Sequence, residues 1–222
     1  MKQQWTNKFR DFSPAGIRRM ALLALASFAG GLFIKLTWEL KEDPDLNHLD
    51  EAVLIFIGKL RLTALNRPLV DVTAVGSATV SFLICLIGIV VLWFARDRLG
   101  AIFLLLSVAG AGMWSTIIKL LVQRERPTII SHLVEVADFS YPSGHTIVST
   151  ATFLALALLA SRHFTNWRAR IVLFLMAAVL IGLVAFSRLY LGVHYPSDVL
   201  SGTLLEIAWI LGLAAFFSHV AG

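Results

Sequence analysis

Leu99–Val122 reads LGAIFLLLSVAGAGMWSTIIKLLV, and its single charge, Lys119, stands three residues from its end. A helix needs roughly 20 apolar residues to cross the hydrocarbon core of a bilayer, and this stretch supplies them. Inside lipid the backbone has no water to bond, so a spanning segment of this length must close its own hydrogen bonds as a helix. Working outward, five further apolar runs appear: Met20–Trp38, Val72–Ala95, Thr146–Ala160, Ile171–Phe186 and Val199–Phe217. Thr146–Ala160 and Ile171–Phe186 are short for a full crossing, which predicts that their helices extend into the flanking residues. The expected fold is therefore all-α, a bundle of six transmembrane helices.

Composition agrees. Of the 222 residues, 58% are hydrophobic and 15% charged, against about 25% charged in soluble domains, so the solvent for most of this chain is lipid. No linker, repeat or low-complexity stretch divides the sequence, and residues 1–222 read as one membrane-embedded domain. The net charge of +5 does not point to nucleic acid, because many basic residues flank apolar runs, where they set topology. With the N-terminus inside, the cytoplasmic segments hold Lys2, Lys8, Arg10, Arg18, Arg19, Arg96, Arg98, Arg162, Arg168 and Arg170; the outer ones hold Lys41, Lys59, Arg61, Arg67, Arg124, Arg126 and Arg188. Both termini are expected on the inner side of a cytoplasmic membrane. Ala24-Leu25-Ala26 resembles a signal-peptide cleavage site, but the apolar run continues to Trp38, so an uncleaved first helix is the reading. Cys85 lies in an apolar run and has no partner for an intrachain disulfide.

Between the first two runs, Glu39–Asp71 opens with the acidic residues Glu42, Asp43, Asp45, Asp50 and Glu51, read as a solvated surface. Val53, Phe56, Ile57, Leu60 and Ala64 then recur at helical spacing with Lys59, Arg61 and Arg67 interleaved. The pattern fits an interfacial helical segment on the membrane surface, or equally a helix packed over the mouth of the bundle.

Three polar clusters interrupt the apolar sequence: Lys119-x6-Arg126-Pro127, Tyr141-Pro142-Ser143-Gly144-His145, and Ser187-Arg188-x5-His194-x3-Asp198. The first two flank the connection between the third and fourth runs, and the third lies between the fifth and sixth. Two crossings separate His145 from His194, so a topology drawn only from apolar runs gathers all three clusters at one face. Lys119 and Arg126, seven apart, share a face if their helix continues through both, and Pro127 is expected to end that helix. Arginine offers phosphate a planar fork of donors and lysine a compact charge. Ser143, Gly144 and His145 open the fourth helix, whose free N–H groups favour an anion, and Arg188 adds a third cation. The histidines add chemistry to binding. An imidazole nitrogen of His194 can attack phosphorus. Asp198, four residues on, can accept the other ring N–H and fix the tautomer. His145 can protonate the leaving oxygen and then deprotonate water. The scheme requires no metal or other cofactor.

These clusters, in this order, resemble the type-2 phosphatidic acid phosphatase superfamily, whose pattern is Lys-x6-Arg-Pro, Pro-Ser-Gly-His and Ser-Arg-x5-His-x3-Asp. Every motif position is present across Lys119–Asp198, about a third of the chain, and the membrane helices are similar to the integral-membrane lipid phosphatase branch. The resemblance implies that His194 is the nucleophile, Asp198 its orienting carboxylate and His145 the general acid, with Lys119, Arg126, Ser143, Gly144 and Arg188 holding phosphate.

Plainer readings apply elsewhere. Lys119 alone would be read as snorkelling to the interface. Arg124 and Glu125 read as a solvated pair, and His48, His132, His163 and His219 as structural. His194 with Asp198 has the composition of half a metal site, but three neighbouring cations would repel the ion. Pro142 and Pro196 can start helices, and Ser187 can bond locally. Glu206, inside the last run, is expected to make a helix–helix hydrogen bond.

The expected activity is hydrolysis of a membrane lipid phosphate or diphosphate, of the undecaprenyl diphosphate, phosphatidylglycerol phosphate or phosphatidic acid type, at the periplasmic or extracellular face. Transfer of the phosphate to a second lipid, such as lipid A, uses the same first step. A non-catalytic anionic-lipid binder or transporter would need the cations but not His194 paired with Asp198.

Overall fold

The computed structural model describes residues 14–217; Lys2, Lys8, Arg10 and His219 lie outside them. Within that range the chain forms eight helices: α1 (Pro14–Glu42), α2 (Pro44–Lys59), α3 (Thr63–Val75), α4 (Ala78–Phe94), α5 (Arg98–Val122), α6 (Gly144–Ser161), α7 (Trp167–Tyr190) and α8 (Pro196–Phe216). Among the described residues α1, α5, α6, α7 and α8 are each long and apolar enough to span a bilayer. The fourth and fifth apolar runs do extend at their ends, as their shortness required. The bundle is all-α, as the periodicity implied.

The second run departs from expectation. Val72–Ala95 was expected as one span, yet the chain breaks at Gly76 and Ser77, and α3 meets α4 at 44°. Alone, the 17 residues of α4 reach about 26 Å at about 1.5 Å per residue, short of the ~30 Å hydrocarbon core. Taken together, the bent pair α3–α4 is long and apolar enough for a sixth span. Ser77 stabilises the restart by accepting a hydrogen bond from the Val80 N–H at 3.3 Å.

The region before it also differs. The apolar spacing from Val53 to Ala64 was expected as one helix, but Leu60 caps α2 and Ala64 belongs to α3. Arg61 occupies the corner between them. Its Nε donates to the Tyr190 carbonyl and one terminal nitrogen donates to the Ser131 carbonyl, both at 2.8 Å. Tyr190 returns the tie, donating from its hydroxyl to the Leu62 carbonyl at 2.9 Å. The corner is thus stapled to the end of α7 and to the long α5–α6 connection. Of the two placements open for this segment, α2 takes the one over the bundle mouth, against α7 and α8.

At the centre stands α6, flanked by α4, α5, α7 and α8, while α1 runs along α8 on the outside. Its buried face is made of small residues, among them Thr146, Ser149, Ala151, Thr152 and Ala155. Small side chains let helices approach closely where lipid offers no hydrophobic driving force. The hydroxyls bond their own helix, Ser149 to the Thr146 carbonyl at 3.1 Å and Thr152 to that of Val148 at 2.9 Å. By contrast α7 turns Ile171, Leu175, Met176 and Val179 outward as a lipid-facing stripe. Cys85 packs with Phe103 and Leu104 in the α4–α5 seam. At the end of the bundle away from the polar clusters, Asp97 caps α5 through the Gly100 N–H at 2.8 Å and pairs with Arg162 at 2.5 Å.

Glu206 does not make the helix–helix bond expected of it. It is fully buried in α8, and neither carboxyl oxygen has a hydrogen-bond partner among the described residues. An unsatisfied buried polar group costs about 1–3 kcal/mol. Glu206→Met should therefore raise the unfolding temperature of the detergent-solubilised protein, by an amount equivalent to about 1–3 kcal/mol; a fall would show that the carboxyl does have a stabilising partner.

Candidate active site

The three polar clusters meet at one end of the bundle, built from separate elements. His194 sits in the turn between α7 and α8, and Gly192 gives that turn its shape with φ of +80°, a conformation side chains resist. A Cβ there would also lie 2.9 Å from the Ser131 carbonyl oxygen. Asp198 lies in the first turn of α8, which begins at Pro196. His194 and Asp198 therefore do not stack along one helix. The carboxylate instead reaches back over the helix start, accepting from the Tyr195 N–H at 2.8 Å and approaching the His194 Nδ1 at 3.5 Å.

The other ring nitrogen of His194 faces Arg126, whose terminal nitrogen stands 3.3 Å from Nε2. A guanidinium can only donate, so this approach assigns the lone pair to Nε2 and the proton to Nδ1, toward Asp198. His194 is 2% exposed. Burial pushes its imidazole down to about 4; the hydrogen bond and charge of Asp198 oppose the shift, and Arg188 and Arg126 add to it. At neutral pH the ring is uncharged, with an unprotonated nitrogen facing the cations.

Arg126 is not on a helix. The expectation that α5 runs through it fails, because the helix ends at Val122 and Gln123 turns left-handed at φ of +50°. Lys119 and Arg126 are brought together instead by the connection between α5 and α6. Asp138 binds Lys119 through Oδ2 at 2.9 Å and Arg126 through Oδ1. Lys119 also donates to the Phe139 carbonyl. Burial alone would raise the Asp138 carboxyl, but Lys119 and Arg126 hold it down at about 2.

Ser143 caps α6, and Gly144 and His145 follow. Gly144 fits because a Cβ would meet Ser115 Oγ at 3.1 Å and Lys119 Cε at 3.9 Å; the start of α6 is pressed against the lysine stem. His145 lies within electrostatic range of Arg188, His194, Arg126 and Asp138. Arg188, 3% exposed on α7, donates to Thr73 Oγ1 at 3.0 Å, while its Nε has no partner among the described residues. The break between α3 and α4 thus delivers Thr73 to the guanidinium. Ser187 bonds only the Val184 carbonyl, at 2.6 Å, the local role its position allowed. Lys119, Arg126, Ser143, Gly144, His145, Arg188, His194 and Asp198 all gather in this region.

Three contributors escaped the sequence reading. Arg124, read as solvated, keeps only 12% of its side chain exposed. One terminal nitrogen donates to Asp198 Oδ1 and Ser197 Oγ, each at 2.7 Å; the other donates to Asp50 Oδ2 at 2.8 Å and Asn47 Oδ1 at 3.0 Å. Its guanidinium lies 3.9 Å over the Tyr195 ring. Asp50, placed with the solvated acidic residues, is 2% exposed and also accepts from the Ser197 N–H at 2.9 Å. Ser140 donates to Asp198 Oδ2 and lies 3.4 Å from His194 Nδ1. In RERP, Arg126 matches a motif and Arg124 does not; the carboxylates that hold Arg124, Asp50 of α2 and Asp198 of α8, both lie far from it in sequence. Of the four histidines set aside, His132 is local, its Nε2 lying 2.6 Å from the Pro127 carbonyl. A cavity of about 500 Å³ adjoins the site, lined by Thr116 and Leu120 of α5, by Lys119 and Arg126, and by Ala137–Phe139.

Comparison with known proteins gives the family and the fold. The PAP2 superfamily profile matches residues 100–220. Phosphatidylglycerophosphatase B of Bacillus subtilis is 31% identical over 172 residues, covering 76% of this chain and 80% of that protein. The undecaprenyl-diphosphatase of Sulfolobus acidocaldarius is 37% identical over 123 residues, covering 53% of this chain; the match spans about half of that protein, 54%. The crystal structure of a transmembrane PAP2-type phosphatidylglycerolphosphate phosphatase from Bacillus subtilis superposes with a TM-score of 0.80, covering 87% of this chain and 96% of that one at 24% identity, a likeness of fold.

Two outcomes follow. Removing one partner of a buried ion pair strands the other, so Arg124→Gln should lower stability by about 3 kcal/mol or more, measured as thermal unfolding in detergent. Nitrogen NMR of histidine-labelled protein should show the His194 ring still neutral at pH 5, with protonation only as the pH falls toward about 4.

Proposed function

The chain belongs to the PAP2 superfamily, and we propose that this multi-pass membrane lipid phosphatase acts through a phosphohistidine formed on His194. The observation that carries the reading is the His194 ring itself, with Nδ1 against Asp198 and an unprotonated Nε2 against Arg126. Such a ring is a nucleophile aimed at an anion site.

In the first step the Nε2 lone pair bonds to phosphorus and the bond from phosphorus to the lipid oxygen breaks. The Nδ1 proton stays with the ring, and Asp198 stabilises the positive charge that develops there. His145, whose protonated form the charge of the adjacent dianion favours in the substrate complex, passes that proton to the departing lipid oxygen. In the second step a water attacks phosphorus, His145 takes the water's proton, the bond to Nε2 breaks and inorganic phosphate leaves. Lys119, Arg126, Arg188 and the first N–H groups of α6 stabilise the charge that spreads over the equatorial oxygens. Ser143 and Gly144 let that helix start approach the phosphate closely.

The names of the relatives support a phosphorylated membrane lipid as substrate, of the phosphatidylglycerol phosphate or undecaprenyl diphosphate type. For a diphosphate, attack on the terminal phosphorus leaves the lipid monophosphate. The bias of basic residues toward the opposite segments supports a site on the outer face of the cytoplasmic membrane. The adjoining cavity, with Thr116 and Leu120 on its α5 wall, suits a headgroup approaching sideways from the bilayer.

Purified protein in detergent should release phosphate from phosphatidylglycerol phosphate or undecaprenyl diphosphate with chelator present, and acid-labile label from a phosphorus-32 substrate should appear on the chain. His194→Ala should abolish both and reduce phosphate release by about 10⁴-fold or more, as losses of a covalent nucleophile do. Full activity in that variant would sink the mechanism.

A further inference from the structure

The guanidinium of Arg126 has five N–H donors, and the structure engages all of them. Nε donates to the Asp138 carbonyl at 2.7 Å. One terminal nitrogen donates to the Val193 carbonyl at 2.6 Å and faces His194 Nε2 at 3.3 Å. The other donates to the Asp138 carboxylate and to the Phe139 carbonyl at 3.4 Å. The Lys119 ammonium is shared between the Asp138 carboxylate and the Phe139 carbonyl. Thus one side chain, Asp138, uses its two oxygens to bridge the same two cations that the proposed mechanism assigns to phosphate. A carboxylate bridging a lysine and an arginine presents the same donors with the same kind of acceptor as two oxygens of a phosphoryl group.

We infer that Asp138 is a built-in competitor for the substrate phosphate, and that displacing it sets a charge threshold favouring dianionic phosphomonoesters over monoanionic phosphodiesters. This rests on the reading of Lys119 and Arg126 as phosphate holders. The Asp138 side chain is 60% exposed and borders the cavity beside the site, so it can swing into water and be resolvated. The carboxylate is the water-exposed partner of each pair, and solvent screening weakens an ion pair on that side, which makes the exchange inexpensive. The carboxylate is ionised at neutral pH, because its two cationic partners hold it at about 2. A phosphomonoester carries nearly two charges at neutral pH, since its second ionisation lies at about 6. Trading one negative charge for two beside Lys119 and Arg126 is downhill, whereas trading it for the single charge of a diester gains almost nothing. The same exchange frees the nucleophile. When the Arg126 fork turns from Asp138 to a phosphate, its contact with Nε2 opens and the lone pair faces phosphorus. The resting site therefore holds its nucleophile covered by the cation that later binds the substrate.

The test compares wild type, Asp138→Asn and Asp138→Glu in detergent. It reads inhibition of lipid phosphate release by inorganic vanadate, the KM for phosphatidic acid, and the ratio of kcat/KM for p-nitrophenyl phosphate over bis(p-nitrophenyl) phosphate. Asp138→Asn should tighten the vanadate inhibition constant and lower KM, each by roughly fivefold or more, and should narrow the monoester-to-diester ratio. Asp138→Glu, which keeps the charge, should stay near wild type. Unchanged or weaker vanadate binding in Asp138→Asn would overturn the inference, since Asp138 would then be arranging the cations rather than competing with phosphate. An unchanged ratio would overturn the charge threshold. Lys119→Met serves as the separate control: if it binds vanadate as tightly as wild type, the phosphate site itself has been misread and both readings fall.

Discussion

One guanidinium, Arg124, lies between two buried carboxylates, Asp50 from α2 and Asp198 from α8, and the mouth of the bundle depends on it. Either carboxylate alone at that depth would carry a heavy desolvation cost. Together with Arg124 they form a hydrogen-bonded cluster that also takes in Ser197, Asn47 and the Tyr195 ring. Asp198 in turn holds His194. The chain thus solves two problems with one set of charges: it fastens the surface helix α2 over the bundle and keeps the aspartate beside the histidine ionised. Burial lowers the arginine's proton affinity, but the two carboxylates more than restore it, so the guanidinium stays charged.

Much of this was legible beforehand, for physical reasons. Apolar runs are long-range signals that survive any detail of packing, so the span count and the gathering of His145, His194 and Arg188 on one face followed from the spacing of Leu99–Val122 and its neighbours. What escaped depended on partners distant in sequence. Arg124 and Asp50 are separated by 74 positions, and Asp50 and Ser197 by 147; nothing local marks Asp50 as buried among Glu42, Asp43 and Asp45. The bend before α4 was hidden because no charged residue interrupts Val72–Ala95, although Thr73, Gly76, Ser77, Thr79 and Ser81 cluster where the chain breaks. The end of α5 was misjudged because Pro127 is a strong breaker, yet the left-handed Gln123 stops the helix a turn earlier.

The four cations reach the site by three routes: Lys119 from a helix, Arg126 and Arg124 from a non-helical connection, and Arg188 from the end of α7 held by Thr73 of α3. Such a convergence of like charges is costly unless each is paired. The structure pairs them individually, Lys119 and Arg126 through Asp138, Arg124 through Asp50 and Asp198, and Arg188 through a neutral hydroxyl. The least satisfied of these is Arg188, whose Nε has no partner among the described residues.

The proposed nucleophile and its aspartate lie within five consecutive residues, His194 to Asp198, at the foot of α8, a helix braced along its length by α1. Their mutual geometry is local and travels as one rigid piece. Much of the site's wall comes instead from residues 123–143, a long non-helical connection that carries Arg124, Arg126 and Asp138. On the proposed mechanism, drift in that connection would alter what reaches the site while leaving His194 and Asp198 in register, so a single chemistry could diversify across many headgroups without being reinvented for each.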